Sequence, residues 1–215
     1  MADIQTLSDI DLAALLCSRV CHDVISPVGA IANGLEVLDD EDDPAMQEIA
    51  MDLIRKSARQ ASTKLQFCRI AFGAAGSAGA HLDLADAGEV SRAFFSDDKT
   101  SFEWNAPHET REKNQVKLLL NLALMASTSI PRGGQLSVSV DGDAFQVRCS
   151  GDAAKVPEKT ITFMTDPANA GDMDSRLVQV YYTMRLAQAG GYSLVITQEG
   201  ADIVMKADPA ARAAA

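Results

Sequence analysis

Apolar residues recur near the start of the chain as Leu12, Leu15, Leu16, Val20, Val24, Val28, Ile31, Leu35 and Leu38. Steps of three and four predict one long helix, roughly Leu7 to Leu38, with a single buried stripe. Ser8 and Asp11 supply a capping-box-like start, with Asp where Glu is usual. The acidic run 39–43 ends that helix, and Pro44 opens a second one behind a capping Asp43. Along it Met46, Ile49, Leu53 or Ile54, Ser57, Ala61, Leu65, Cys68 and Phe72 recur at near-heptad spacing, with Arg55, Lys56, Arg59 and Lys64 on the outer faces. Two long helices on a short loop make an antiparallel hairpin with an apolar stripe left over. Two such hairpins bury their stripes mutually as a four-helix bundle, so a homodimer is expected. Packing of the hairpin on the C-terminal half of its own chain is the alternative.

The small-residue run 73–80 reads as a linker. It divides the chain into a helical hairpin over residues 1–75 and a second unit over 81–208. Beyond it the pattern becomes mixed. Asp86 is expected to cap a short helix ending at Ser96, Ser101–Asn105 alternates as a strand, and Lys113–Ser129 is a strongly apolar helix. Pro131 to Gly134 turns into a strand Leu136–Val140, and Asp141-Gly142-Asp143 turns that into Phe145–Cys149. After an irregular stretch, Ser175–Ala189 reads as a helix with Gly190 at its C-cap. A last hairpin joins Tyr192–Thr197 to Asp202–Lys206, and Ala207–Ala215 is expected to fray. The class is α + α/β: a helical hairpin followed by a three-layer α/β sandwich with a mainly antiparallel sheet.

His22 does not belong to the stripe of its own helix. At about 100° per residue it lies roughly 160–180° from the stripe's centre. The imidazole therefore faces solvent beside Asp23, an arrangement suited to proton or phosphoryl chemistry. A lone surface His is ordinarily just solvated, but its surroundings favour a docking face. Ile25 and Gly29 lie one and two turns on, and an exposed Ile and a mid-helix Gly are both unfavourable unless another protein covers them. Pro27 is expected to interrupt the helix, removing an i→i−4 hydrogen bond and bending it just past the His. Ser26 at i+4 lies over the same surface, placed to bond a phosphoryl group or a backbone carbonyl. Arg19 at i−3 is placed to contact phosphate or to pair with Asp23.

Composition narrows the classes. A net charge of −11 over 215 residues argues against nucleic-acid binding, which needs a basic footprint. No 18-residue apolar span is apparent and the start lacks a signal-peptide pattern, so no membrane partner is expected and the cytoplasm is. Cys17, Cys21, Cys68 and Cys149 have no disulfide-framework spacing and read as reduced thiols. Cys17, Cys21 and His22 form C-x-x-x-C-H, one residue too long for c-type haem attachment and lacking a second ligand pair for zinc.

Both halves, in order, resemble the two-component histidine kinases. The segment Cys21-His22-Asp23-Val24-Ile25-Ser26-Pro27 is similar to their phosphoacceptor H-box. Asn121 to Ala126 followed by Pro131-Arg132-Gly133-Gly134 is similar to their asparagine helix and the strand after it, and Gly190-Gly191 to the end of their second nucleotide-side helix. Three departures bear on ATP. Met125 replaces the second asparagine, and a thioether does not substitute for a hard oxygen ligand of Mg²⁺. Gly151 to Lys155 lacks the phosphate-side glycines, and the lid-like segment 174–179 has none. A phosphoacceptor hairpin fused to a degenerate histidine-kinase-ATPase-like domain is the pattern of the ChpT-type histidine phosphotransferases, and Leu16–Glu36 is very similar to that family.

The resemblance implies a cytoplasmic, homodimeric phosphorelay shuttle of the bacterial cell cycle. Its partners would be the receiver domain of the hybrid kinase CckA and the response regulators CtrA and CpdR. His22 would carry the phosphoryl group, with Asp23 and Ser26 assisting. Arg19, Ile25, Gly29, Ala32, Asn33, Phe67 and Ile70 are the candidate receiver-binding residues. The chain itself would hold no ATP and no metal, the Mg²⁺ residing on the receiver. A non-catalytic receiver-binding adaptor is the alternative, and an ATP-dependent autokinase is disfavoured by Met125.

Overall fold

The computed structural model describes residues 7–40, 42–73, 81–166, 173, 174 and 176–210. Helix α1 (Asp9–Asp40) begins where the Ser8 hydroxyl accepts the Asp11 N–H at 3.1 Å and donates to the Asp11 carboxylate at 2.6 Å. Helix α2 (Pro44–Ala71) begins at Asp43, whose carboxylate accepts the Ala45 N–H at 3.0 Å. Both starts are those expected from the local sequence. α1 runs continuously through Pro27 rather than being interrupted there. Pro27 and Gly34 are its buried residues. A Cβ on Gly34 would lie 2.7 Å from Ile54 Cγ1, so this glycine sets how closely the two helices approach.

The hairpin leaves apolar surface uncovered. Val28 and Leu35 of α1 and Met46, Ile49 and Leu53 of α2 are exposed. By length and composition α1 is long and apolar enough to cross a membrane, contrary to the expectation from sequence. Its two uses here account for that composition: part of its apolar surface packs on α2, and part forms the uncovered stripe.

The second unit comprises β1 (His81–Asp83), α3 (Leu84–Phe95), β2 (Thr100–Asn105), β3 (Thr110–Glu112), α4 (Lys113–Ser127), β4 (Gly134–Asp141), β5 (Ala144–Ser150), α5 (Glu158–Thr165), α6 (Leu177–Gly190), β6 (Tyr192–Glu199) and β7 (Asp202–Pro209). Five strands form one sheet in the order β2-β4-β5-β7-β6, with β2 parallel to β4 and the other pairs antiparallel, while β1 and β3 pair separately. Along β5, Phe145, Val147 and Cys149 are buried and alternate with partly exposed Gln146 and Arg148. The helices thus cover one face, and the unit is a two-layer α/β sandwich rather than the three layers expected.

Several boundaries differ from expectation for local reasons. Asp83, not Asp86, caps α3, accepting the Ala85 N–H at 2.7 Å. Gly191, left-handed at φ 71°, caps α6 in place of Gly190. Ala207 pairs with Phe145 and Leu194 inside the sheet, so the strand outlasts the point where fraying was expected. The short β1 and β3 and the helix α5 were not anticipated. The linker 74–80, Ser175 and the tail 211–215 lie outside the described residues.

One apolar core crosses the boundary between the units. Phe67 near the end of α2 is fully buried, its ring stacked on Phe94 at 4.1 Å and edge-on to Phe95 at 5.3 Å. Ile70 and Ala71 join the same cluster as α4 and the sheet. This overturns Phe67 and Ile70 as receiver-binding residues: both are enclosed by the chain's own second unit. The Asn121 amide, itself buried, donates to the Ala71 carbonyl at 3.0 Å and to the Lys117 carbonyl at 2.8 Å. It thereby satisfies a carbonyl that the end of α2 would otherwise leave orphaned. At the same, open end of the hairpin the Leu7 N–H donates to the Tyr181 hydroxyl at 3.2 Å, tying the approach to α1 to α6. The hairpin therefore packs on its own C-terminal half at one end, and its uncovered stripe lies along the remainder.

Candidate functional site

Helical spacing gathers the site on one face of α1. His22 is 75% exposed and its Nδ1 lies 3.7 Å from Asp23 Oδ1. That distance is too long for a hydrogen bond but within reach of a charge. Arg19 Nε donates to Asp23 Oδ2 at 3.0 Å, so of the two contacts open to this arginine the structure shows the pairing with Asp23. Ser26, Ile25, Gly29, Ala32 and Asn33 are all exposed on the same helix. A Cβ at Gly29 would meet nothing within 4 Å, so nothing within the chain requires glycine there. These exposed residues share one face of α1, and Phe67 and Ile70 are not part of it.

The second helix contributes a different residue. Lys64, expected on an outer face, is half-buried, and its Nζ donates to the main-chain carbonyl of Asp23 at 2.9 Å. One turn later stands Cys68, whose thiol burial pushes up to about 11, with the Asp23 charge acting in the same direction and Arg19 and Lys64 opposing it.

The C-terminal unit also reaches the His22 level. Arg19, His22 and Asp23 form one wall of a cleft of about 570 Å³, and residues around α5 and the start of α6, including Lys159, Asp174 and Arg176, form the other. Asp174 accepts the Arg176 and Leu177 N–H groups at 2.9 and 2.8 Å, fixing the start of α6 at the cleft. Sequence reasoning did not find this wall, because α5 falls in a stretch without clear periodicity.

Residues 84–202 match the family described as Histidine phosphotransferase C-terminal domain. The protein phosphotransferase ChpT of Brucella abortus (strain 2308) is 46% identical over 207 residues, spanning 94% of this chain and 98% of that protein. The chain belongs to the histidine phosphotransferase family. A bacterial phosphotransferase of known structure is 44% identical, with a TM-score of 0.88 over 95% of this chain and 99% of that one.

In this histidine phosphotransferase the positions that resemble a kinase's nucleotide site are closed in. Asn121 and Met125 are buried, and the Gln179 amide donates to the Asn121 carbonyl at 2.8 Å, binding α6 to α4. The Asn121 side chain instead holds the end of α2 through the Ala71 carbonyl. Among the described residues no cluster of three or more His, Cys, Asp or Glu is arranged to hold a metal ion.

Proposed function

We propose that His22 is the phosphoacceptor of a phosphorelay shuttle. It takes a phosphoryl group from a receiver aspartate and returns it to the aspartate of a second receiver. The observation that carries this reading is the exposed imidazole with Asp23 beside Nδ1. A proton held on Nδ1 leaves the Nε2 lone pair free to attack phosphorus. The N–P bond forms as the P–O bond of the acyl phosphate breaks, and the aspartate leaves as a carboxylate. The ring gains positive character on phosphorylation, which the Asp23 carboxylate stabilises. The reverse step restores both groups. Little covalent chemistry is asked of this chain beyond positioning, and the Mg²⁺ that neutralises the transferring group belongs to the receiver.

Ile25, Gly29, Ala32 and Asn33 offer the receiver an apolar and sterically open track next to the His, and Ser26 lies within its footprint. A receiver seated there also meets the α5–α6 wall of the cleft. The uncovered Val28, Leu35, Met46, Ile49 and Leu53 support a homodimer through the hairpins, forming a four-helix bundle. Burial of Asn121 and Met125 supports transfer without ATP. By resemblance to the ChpT-type proteins the donor is the CckA receiver domain and the acceptors are CtrA and CpdR, in the cytoplasm.

The test is to mix a phosphorylated, radiolabelled receiver with the wild type and with His22→Ala, without ATP. Acid-labile label on the wild type alone, passed on to a second receiver, is the expected result. Receiver binding with no label on either protein would leave an adaptor and refute the shuttle.

A further inference from the structure

The carbonyl that Lys64 reaches is not an ordinary one. In an α-helix each carbonyl accepts the N–H four residues on. Four residues beyond Asp23 stands Pro27, which has no N–H. The Asp23 carbonyl therefore has no i+4 donor within α1, at a level where α1 faces α2. A carbonyl left unpaired in such a place is costly, and buried backbone groups are almost always matched. Lys64 Nζ supplies the match from the other helix, 41 residues away along the chain, at 2.9 Å.

We propose that Lys64 is a positioning residue for phosphotransfer, replacing across the hairpin the hydrogen bond that Pro27 removes beside His22. The proposal rests on the reading of His22 as phosphoacceptor and deepens it. Lys64 acts on His22 through Asp23. That residue is held at its carbonyl by Lys64 and at one carboxylate oxygen by Arg19, while its other carboxylate oxygen lies beside His22 Nδ1. With the carbonyl unheld, the turn bearing His22 and Asp23 is free to rock about the proline. With it held, the turn is pinned to α2, the helix whose far end is embedded in the C-terminal core through Phe67 and Ala71. The ammonium is tied to main chain, so it serves the orientation of the imidazole rather than contact with the phosphoryl group.

The pairing of a lysine with a proline makes the test specific. Lys64→Met keeps the aliphatic stem and removes the donor. Its transfer rate at saturating phosphorylated receiver is expected to fall about tenfold, less than the roughly hundredfold that a 1 Å misplacement costs, with half-saturation unchanged. Lys64→Arg keeps a donor and should stay within about threefold of the wild type. Pro27→Ala gives residue 27 an N–H, and the Asp23 carbonyl then regains its helical partner. In that background Lys64→Met should cost less than about twofold, the non-additivity expected of two groups serving one acceptor. Circular dichroism of each variant checks its helix content, and Lys64→Leu, which also lacks a donor, replaces Lys64→Met if the latter does not fold. Equal losses in the two backgrounds would overturn the proposal. So would a change confined to half-saturation, which would make Lys64 a receiver contact, or no loss at all. A wild type that takes no label would overturn the His22 reading itself, and this role with it.

Discussion

Replacing Phe67 by Ala separates a core residue from a partner-binding one. Phe67 is fully buried, stacked on Phe94 at 4.1 Å and edge-on to Phe95 at 5.3 Å. Burying a phenylalanine removes about 150–200 Å² from water, which at about 25 cal/mol/Å² is roughly 4–5 kcal/mol. Measured costs of about 3–5 kcal/mol for truncating buried aromatics to Ala agree with that range. In a chain of this size each kcal/mol moves the midpoint by about 2–4 °C, so a fall of roughly 8–20 °C is expected. Thermal and urea unfolding, followed by both circular dichroism and fluorescence of the single Trp, supply the assay. The midpoints of both probes should fall together, because Phe67 joins hairpin and sandwich in one core. Receiver affinity below the transition should change little. A stability loss under about 1 kcal/mol together with weakened receiver binding would refute the burial argument and return Phe67 to the docking surface.

Two glycines of α1 should behave oppositely. Gly34→Ala places a Cβ 2.7 Å from Ile54 Cγ1 and should cost about 1–3 kcal/mol in unfolding measurements. Gly29→Ala meets nothing and should stabilise by about 0.5–1 kcal/mol, whereas Gly29→Leu should slow transfer from a receiver without loss of stability. Asp43→Ala removes the cap of α2 and should cost about 1 kcal/mol by chemical denaturation. The thiols should divide in native labelling with a chromogenic disulfide: exposed Cys17 and Cys21 react promptly, and buried Cys68 and Cys149 react only on unfolding. Burial raises both Cys68 and Cys149 from 9.0 to about 11 in the folded state. The unfolded chain therefore loses these protons first, and their stabilising contribution, full below pH 9, should fade as pH rises from about 9 to about 11. Denaturation midpoints across that window check it, with a shallower fall expected for Cys68→Ala.

What the sequence made legible is local. The Ser8–Asp11 box and the Asp43 cap each depend on residues within one turn, and their hydrogen bonds form as their spacing requires. The alternation of β5 was readable because one face of the sheet is covered and the other is not. The position of His22 off its stripe was readable for the same reason. Phe67 and Ile70 were misassigned because α3 and the sheet cover them, contacts distant along the chain. A clue was nonetheless present: residues 67–72 are apolar on nearly every side, as befits a buried turn rather than an amphipathic one. Lys64 was misplaced because near-heptad spacing locates side chains and ignores main-chain acceptors. Counting four residues back from Pro27 identifies the Asp23 carbonyl that needs a donor. The strands β1 and β3, three residues each, are too short to establish a period.

The Asn121 bond to the Ala71 carbonyl has a consequence for anyone recombining such proteins. A hairpin cut away at the linker carries with it the bare rings and methyls of Phe67, Ile70 and Ala71 and a carbonyl that has lost its cap. It is therefore not a transplantable cassette. Chimaeras between related phosphotransferases should tolerate a crossover in the loop near Asp42, where the start of α2 carries its own local cap at Asp43, better than one at the linker. A crossover at the linker would have to carry Phe94, Phe95 and Asn121 from the same parent as α2. Sequence drift on the two sides of the linker is then constrained to be joint, even though the residues concerned lie up to 50 positions apart.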